Sequence, residues 1–147
     1  MQPVVLITGA LGGIGQAMCE RFTAGGWAVF GTDLNASALA ALQAEGKLAG
    51  AQAADIRKPD ACREVVAALL ASRGRLDALV NCAGVWREGP VESFSEEDFD
   101  IVLDVNLKAT FFMCSASIPA LRQSKGCLLY TSPSPRDLST SRMPSSA

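Results

Sequence analysis

The chain has 147 residues, 49% of them hydrophobic and 19% charged, which is one domain's worth of sequence with enough apolar material for a sizeable core. A formal net charge of −2 argues against a nucleic-acid partner or a polybasic attachment to a membrane. No apolar run approaches bilayer-spanning length, and no charged leader with a cleavage site opens the chain, so the expected compartment is the cytoplasm. The five cysteines (Cys19, Cys62, Cys82, Cys114, Cys127) form no C-x-x-C pair and read as buried small hydrophobes. Histidine is absent, so neither a common zinc site nor a histidine-based triad is expected.

The apolar, mostly β-branched run Val4–Thr8 predicts a first strand. It passes into the glycine-rich turn Gly9-Ala10-Leu11-Gly12-Gly13-Ile14-Gly15 and then into Gln16–Phe22, whose apolar residues have helical spacing. Strand, glycine turn and helix in that order make a phosphate-binding device: Gly9 turns the chain, Gly13 leaves room for a pyrophosphate, and Gly15 lets helix and strand approach. Free N–H groups at the helix start, with the positive end of the helix dipole, face the anion. An ordinary tight turn is the plainer reading. Ala24-Gly25-Gly26 should stop this helix, and Trp27–Thr32 reads as a second strand ending in Asp33. Asp33 stands where an acid hydrogen-bonds an adenosine ribose, and its βαβ context favours that role, although Asp33-Leu34-Asn35 could simply cap the next helix. A carboxylate there repels a 2′-phosphate, and no Arg or Lys stands nearby in the glycine turn or just after Asp33. NAD(H) is therefore expected over NADP(H).

Ala36–Glu45 reads as a helix stopped by Gly46, and Leu48–Ala54 as a short third strand leading to Asp55-Ile56. Pro59–Arg73 predicts a helix with Pro59 in its first turn and a stripe of Cys62, Val65, Val66, Leu69 and Leu70. Leu76–Val80 predicts a fourth strand followed by the small-residue turn Asn81-Cys82-Ala83-Gly84, at the end of a strand where an α/β sheet places its ligand. Ser95 caps a helix with acids in its first turn, whose buried side is expected to be Phe99, Val102 and Leu103. The helical pattern continues through Asn106 into Lys108–Ala116. An Asn inside an apolar run is costly without partners for its amide, and Pro119 should kink or end the helix.

Thr8-Gly9-x-x-x-Gly13-Ile14-Gly15, Asp33, Asp55-Ile56, Asn81-Cys82-Ala83-Gly84 and Asn106, in that order, resemble the short-chain dehydrogenase/reductase family, over roughly residues 1–126. The resemblance implies a three-layer αβα doubly wound parallel sheet, Rossmann-like, with strand order 3-2-1-4-5 and a short or frayed fifth strand. It implies an oxidoreductase that moves a hydride between NAD(H) and a small alcohol or ketone. Thr8, Gly9, Leu11, Gly13, Ile14, Gly15, Asp33, Leu34, Asp55, Ile56, Asn81, Ala83 and Gly84 would form the cofactor site. Asp55 would accept from the adenine amino group, although its spacing alone fits a turn residue equally well. Asn81 would brace the sheet, with Cys82 replacing the family's second Asn, and Ala83-Gly84 would leave space for the cofactor. Asn106 would belong to the catalytic set, holding a water that links a catalytic lysine to solvent; a buried Asn bonded to backbone is the alternative. The intact protein would be a homo-oligomer paired through the helix containing Asn106 and the one after it.

That chemistry also needs a Ser and a Tyr-x-x-x-Lys, because a phenol titrating near 10 needs a neighbouring cation to act as a base at neutral pH. The single tyrosine, Tyr130, is followed four residues on by Ser134, and Ser132 is flanked by Pro133 and Pro135. Residues 1–128 are thus expected to be an incomplete nucleotide-binding domain. Residues 129–147, rich in Ser, Thr and Pro, are expected to be a disordered tail. Leu129–Arg142 resembles a translated cloning adaptor. The chain as given is expected to be nearly inactive. A non-catalytic dinucleotide-binding module is the second reading, and an adenosylmethionine-dependent methyltransferase a distant third.

Overall fold

The computed structural model describes residues 1–124 and the backbone of residues 128–131. Five strands, β1 (Val4–Thr8), β2 (Ala28–Asp33), β3 (Gly50–Ala53), β4 (Ala78–Asn81) and β5 (Leu128–Thr131), form one sheet in the order β3-β2-β1-β4-β5. Every pairing is parallel. β1 and β4 are buried along their whole length, as expected of strands covered on both faces.

Alternate residues of the central strands serve two cores, because successive side chains leave a strand on opposite faces. Val4, Leu6, Phe30 and Leu79 pack with Val65 and Leu69 of helix α3 (Pro59–Arg73) and Met113 and Leu121 of helix α5 (Thr110–Ser124). Val5, Ile7, Val29 and Val80 pack with Cys19 of helix α1 (Gly13–Ala24) and Leu39 of helix α2 (Ala36–Ala44). Helices thus cover both faces, giving the three-layer αβα arrangement that the sequence implied.

α3 begins and ends where the sequence places it, with Pro59 in its first turn and Gly74 closing it at φ +73°. The other end of the chain departs from expectation in the burial of one helix and in the run of the next past Pro119. None of helix α4 (Glu96–Leu103) is buried: Phe99 is 54% exposed and Leu103 41%, since among the described residues no layer lies over that side. The chain then winds through a π-helical turn, Asp104–Ala109, before α5. α5 does not end at Pro119, because Met113, Ser117, Ala120 and Leu121 around it are buried and hold the helix to α3 and the sheet. Those contacts outweigh the one lost hydrogen bond to the Ser115 carbonyl. The resulting helical stretch, Glu96–Ser124, is long and apolar enough by length and composition to cross a membrane, which the sequence reading had not found. Here its Met113–Leu121 side is spent on the core.

β5 runs to Thr131, three residues past the expected domain boundary at 128. Ser132, the side chain of Tyr130, Cys127 and the remainder of the tail expected to be disordered lie outside the described residues.

Candidate functional site at the carboxyl ends of the strands

A cavity of about 510 Å³ opens at the carboxyl ends of β1 to β4. In this strand order the chain leaves β1 in one direction and returns to its other side at β4, and such a reversal opens a crevice beyond the strand ends. Leu11 and Gly12, Asp33 and Leu34, Ala54 to Arg57, and Cys82 to Val85 line the cavity from successive loops, and Ile101 and Val105 close one side.

The glycine turn is built tightly from below and left open above. Gly9 has φ +65°, and a Cβ there would lie 2.7 Å from the Ala83 backbone, so the loops after β1 and β4 touch. A Cβ on Gly15 would come within 2.0 Å of the Gly9 carbonyl oxygen, while one on Gly13 would meet nothing within 4 Å. The first intrahelical bond of α1 runs from the Gln16 N–H to the Gly12 carbonyl, and no side chain caps the N–H groups before it. Thr8 is fully buried beneath this turn, and its hydroxyl accepts from the Ala83 N–H at 3.1 Å.

The Asp33 carboxylate bridges two loops, accepting from the Leu11 N–H at 3.0 Å and the Leu34 N–H at 2.7 Å. It does not cap α2; Asn35 does, accepting from the Ala38 N–H at 3.0 Å. Asp55 is held by Arg57, which keeps its carboxyl below the usual carboxylate range. Burial pushes the Cys82 thiol up, so at neutral pH it is an uncharged part of the wall.

Of the residues expected at the site, Gly9, Leu11, Asp33, Leu34, Asp55, Ile56, Ala83 and Gly84 line this cavity. Gly13 and Ile14 stand exposed at the start of α1, and Gly15 is buried beneath them. Asn81 is 5% exposed and turned away, its amide nitrogen 3.6 Å from Cys114 Sγ on α5. Asn106 is exposed rather than buried. Its amide nitrogen donates to the Val85 carbonyl and its amide oxygen accepts from the Val85 N–H, both at 2.9 Å. The π-helical turn is what aims Asn106 at this loop, and such turns are common at functional sites.

Residues 3–134 match the family described as short chain dehydrogenase. The chain belongs to the short-chain dehydrogenase/reductase family. It is 40% identical to the D-threitol dehydrogenase of Mycolicibacterium smegmatis over 77% of this chain and 45% of that protein. The fold superposes on a short-chain dehydrogenase/reductase from Brucella melitensis with a TM-score of 0.76 and 32% identity, covering 82% of this chain and 54% of the other. A blue fluorescent protein from a metagenomic library, solved in complex with NADPH, matches with a TM-score of 0.72 and 29% identity over 81% and 51%. The chain spans about half the length of the relatives it matches.

This family of oxidoreductases binds nicotinamide dinucleotides, and the cavity suits such a group. The glycine turn forms a cradle that a Cβ at Gly9 or Gly15 would disrupt, with open space above Gly13 for a phosphate. Sequence reasoning missed Arg57, Val85, Ile101 and Val105 on the walls. Arg57 had a signal, an arginine two residues after an aspartate expected at the site; the others come from residues with no chemistry to mark them.

Proposed function

We propose that this chain carries the NAD(H) half of a dehydrogenase acting on a small alcohol or ketone, in the cytoplasm, with residues 1–128 as the nucleotide-binding unit. The observation that carries the reading is Asp33. Its carboxylate stands on the cavity wall at the end of β2, locked by the Leu11 and Leu34 amides, where a ribose diol would find an acceptor and a 2′-phosphate would find a negative charge. The glycine turn and the start of α1 would hold the pyrophosphate, and Ile56, Ala83 and Gly84 would flank the bases. Thr8 and Gly15 act from beneath by fixing backbone, whereas the Asn81 side chain, expected to brace the sheet, reaches Cys114 Sγ on α5 instead.

When bound, the dinucleotide supplies hydride transfer. The Asn106 amide gives one N–H to the Val85 carbonyl and one oxygen lone pair to the Val85 N–H, which positions the loop at the cavity mouth and leaves one donor and one acceptor for a water. The chain has no Tyr-x-x-x-Lys. Loss of a general acid/base removes about 10²–10⁴-fold in rate, so binding without turnover is expected. The longer protein would be a homo-oligomer.

Equilibrium titration followed by nicotinamide fluorescence tests this. NADH should bind about tenfold more tightly than NADPH, a difference of about 1.4 kcal/mol. Asp33→Ser should narrow that gap. Tighter binding of NADPH, or of adenosylmethionine in competition, overturns the assignment. Alcohol turnover by the chain as given would overturn its inactivity.

A further inference from the structure

Thr8, Asn81 and Ser117 bring polar groups into the core between the sheet and α5. Thr8 and Asn81 are the last residues of β1 and β4, and they pair directly in register. Each stands two residues beyond a leucine, Leu6 or Leu79, that packs against α3 and α5, so both side chains leave the sheet toward those helices. Asn81 meets Cys114 of α5 there, and Ser117 lies about one turn further along the same side of that helix. Thr8 and Ser117 are fully buried, and Asn81 nearly so.

The hydrogen bonds of these groups do not close on one another. Asn81 gives an N–H to Cys114 Sγ, a weak acceptor, and among the described residues its Oδ1 receives no donor. The Ser117 hydroxyl has no partner among them either. The Thr8 hydroxyl accepts from the Ala83 N–H, and its own proton goes to no acceptor among the described residues. Buried polar groups left in this condition are rare, because each forfeits on folding the bonds it made to solvent. One water satisfies all three. It donates to Asn81 Oδ1 and accepts from the Thr8 and Ser117 hydroxyls, three bonds being the usual number for an internal water.

We infer that Thr8, Asn81 and Ser117 form a binding site for one internal water, which ties α5 to the ends of β1 and β4 directly beneath the loops that wall the cavity. The inference does not depend on what the cavity binds. The arrangement it must beat is a Ser117 hydroxyl turned onto the Met113 carbonyl one turn back, as serines within helices often are.

The test combines magnetic relaxation dispersion of water, which counts long-lived internal waters, with urea denaturation, both on the full chain. Ser117→Ala should remove one long-lived water and lower the urea midpoint, making unfolding about fivefold more favourable, the worth of one ordinary hydrogen bond. Ser115→Ala, on the exposed side of the same helix, is the control for the helix propensity of alanine and should raise the midpoint slightly. Should Ser117→Ala not fold, Ser117→Cys, which nearly keeps the volume and weakens the donor, gives the same two readouts. An unchanged count of long-lived waters, or a midpoint that rises with that of Ser115→Ala, overturns the inference. The second of these results is the one a hydroxyl bonded only to Met113 produces.

Discussion

Two Arg–Asp forks stand at opposite ends of this sheet, built from mirrored triplets, Arg75-Leu76-Asp77 and Asp55-Ile56-Arg57. At the amino end, Asp77 also accepts from the Val4 N–H at 2.8 Å, and its own N–H donates to the Val4 carbonyl, so the pair stitches the start of β4 to the start of β1. Its side chain is 9% exposed. At the carboxyl end, Asp55 is 24% exposed and its remaining donor is the N–H of Arg57 itself, so it joins no second strand. The same ion pair ties two strands together where a neighbouring strand supplies a third partner, and stands on a cavity wall where none does.

The largest effect expected at the carboxyl end comes from backbone. Gly15→Ala puts a methyl 2.0 Å from the Gly9 carbonyl oxygen, a contact no side-chain movement relieves. It should cost about 3 kcal/mol in urea denaturation, as overpacking in a rigid site does. Gly13→Ala, which meets open space, should change stability by about 0.5 kcal/mol or less while weakening NADH. Equal stabilities for the two variants would show that the glycine turn is looser than its contacts imply.

The forks themselves come next. Asp77→Ala strands the buried Val4 N–H and leaves Arg75 without its acceptor, so it should cost about 2 kcal/mol. Asp55→Ala removes a half-exposed pair and should cost about 0.5 kcal/mol or less, within the range of surface ion pairs. Comparable urea midpoints for the two variants would break the distinction between the ends.

What the sequence disclosed follows the range of the interactions involved. The limits of α3 could be read because Pro59 and Gly74 act on their own turns. The glycine turn could be read because φ and close approach constrain a few adjacent residues. Asn106 could be singled out, but its exposure could not, since its partner Val85 lies 21 residues away and a π-helical turn sets the angle. α5 passes through Pro119 because of burial against α3, which no local rule contains. The two forks look alike along the chain, and only the order of strands tells which has a neighbour and which a cavity.

The smallest effect sharpens the same comparison through pH. Arg75 holds the Asp77 carboxyl below its usual range, with the Val4 N–H adding to the effect, and Arg57 does so for Asp55. A depressed folded pKa means that the unfolded chain takes up its proton first as pH falls. The stabilisation is therefore fully present above the ordinary carboxylate pKa of about 4, and it is lost as pH falls through the lower folded value. Urea midpoints measured from pH 6 down to pH 3 should fall in wild type. Asp77→Asn should flatten that decline more than Asp55→Asn does, because the Asp77 pair is less exposed and less screened by solvent. A steeper contribution from Asp55 would mean that the cavity-side fork, not the buried one, holds the sheet together in acid.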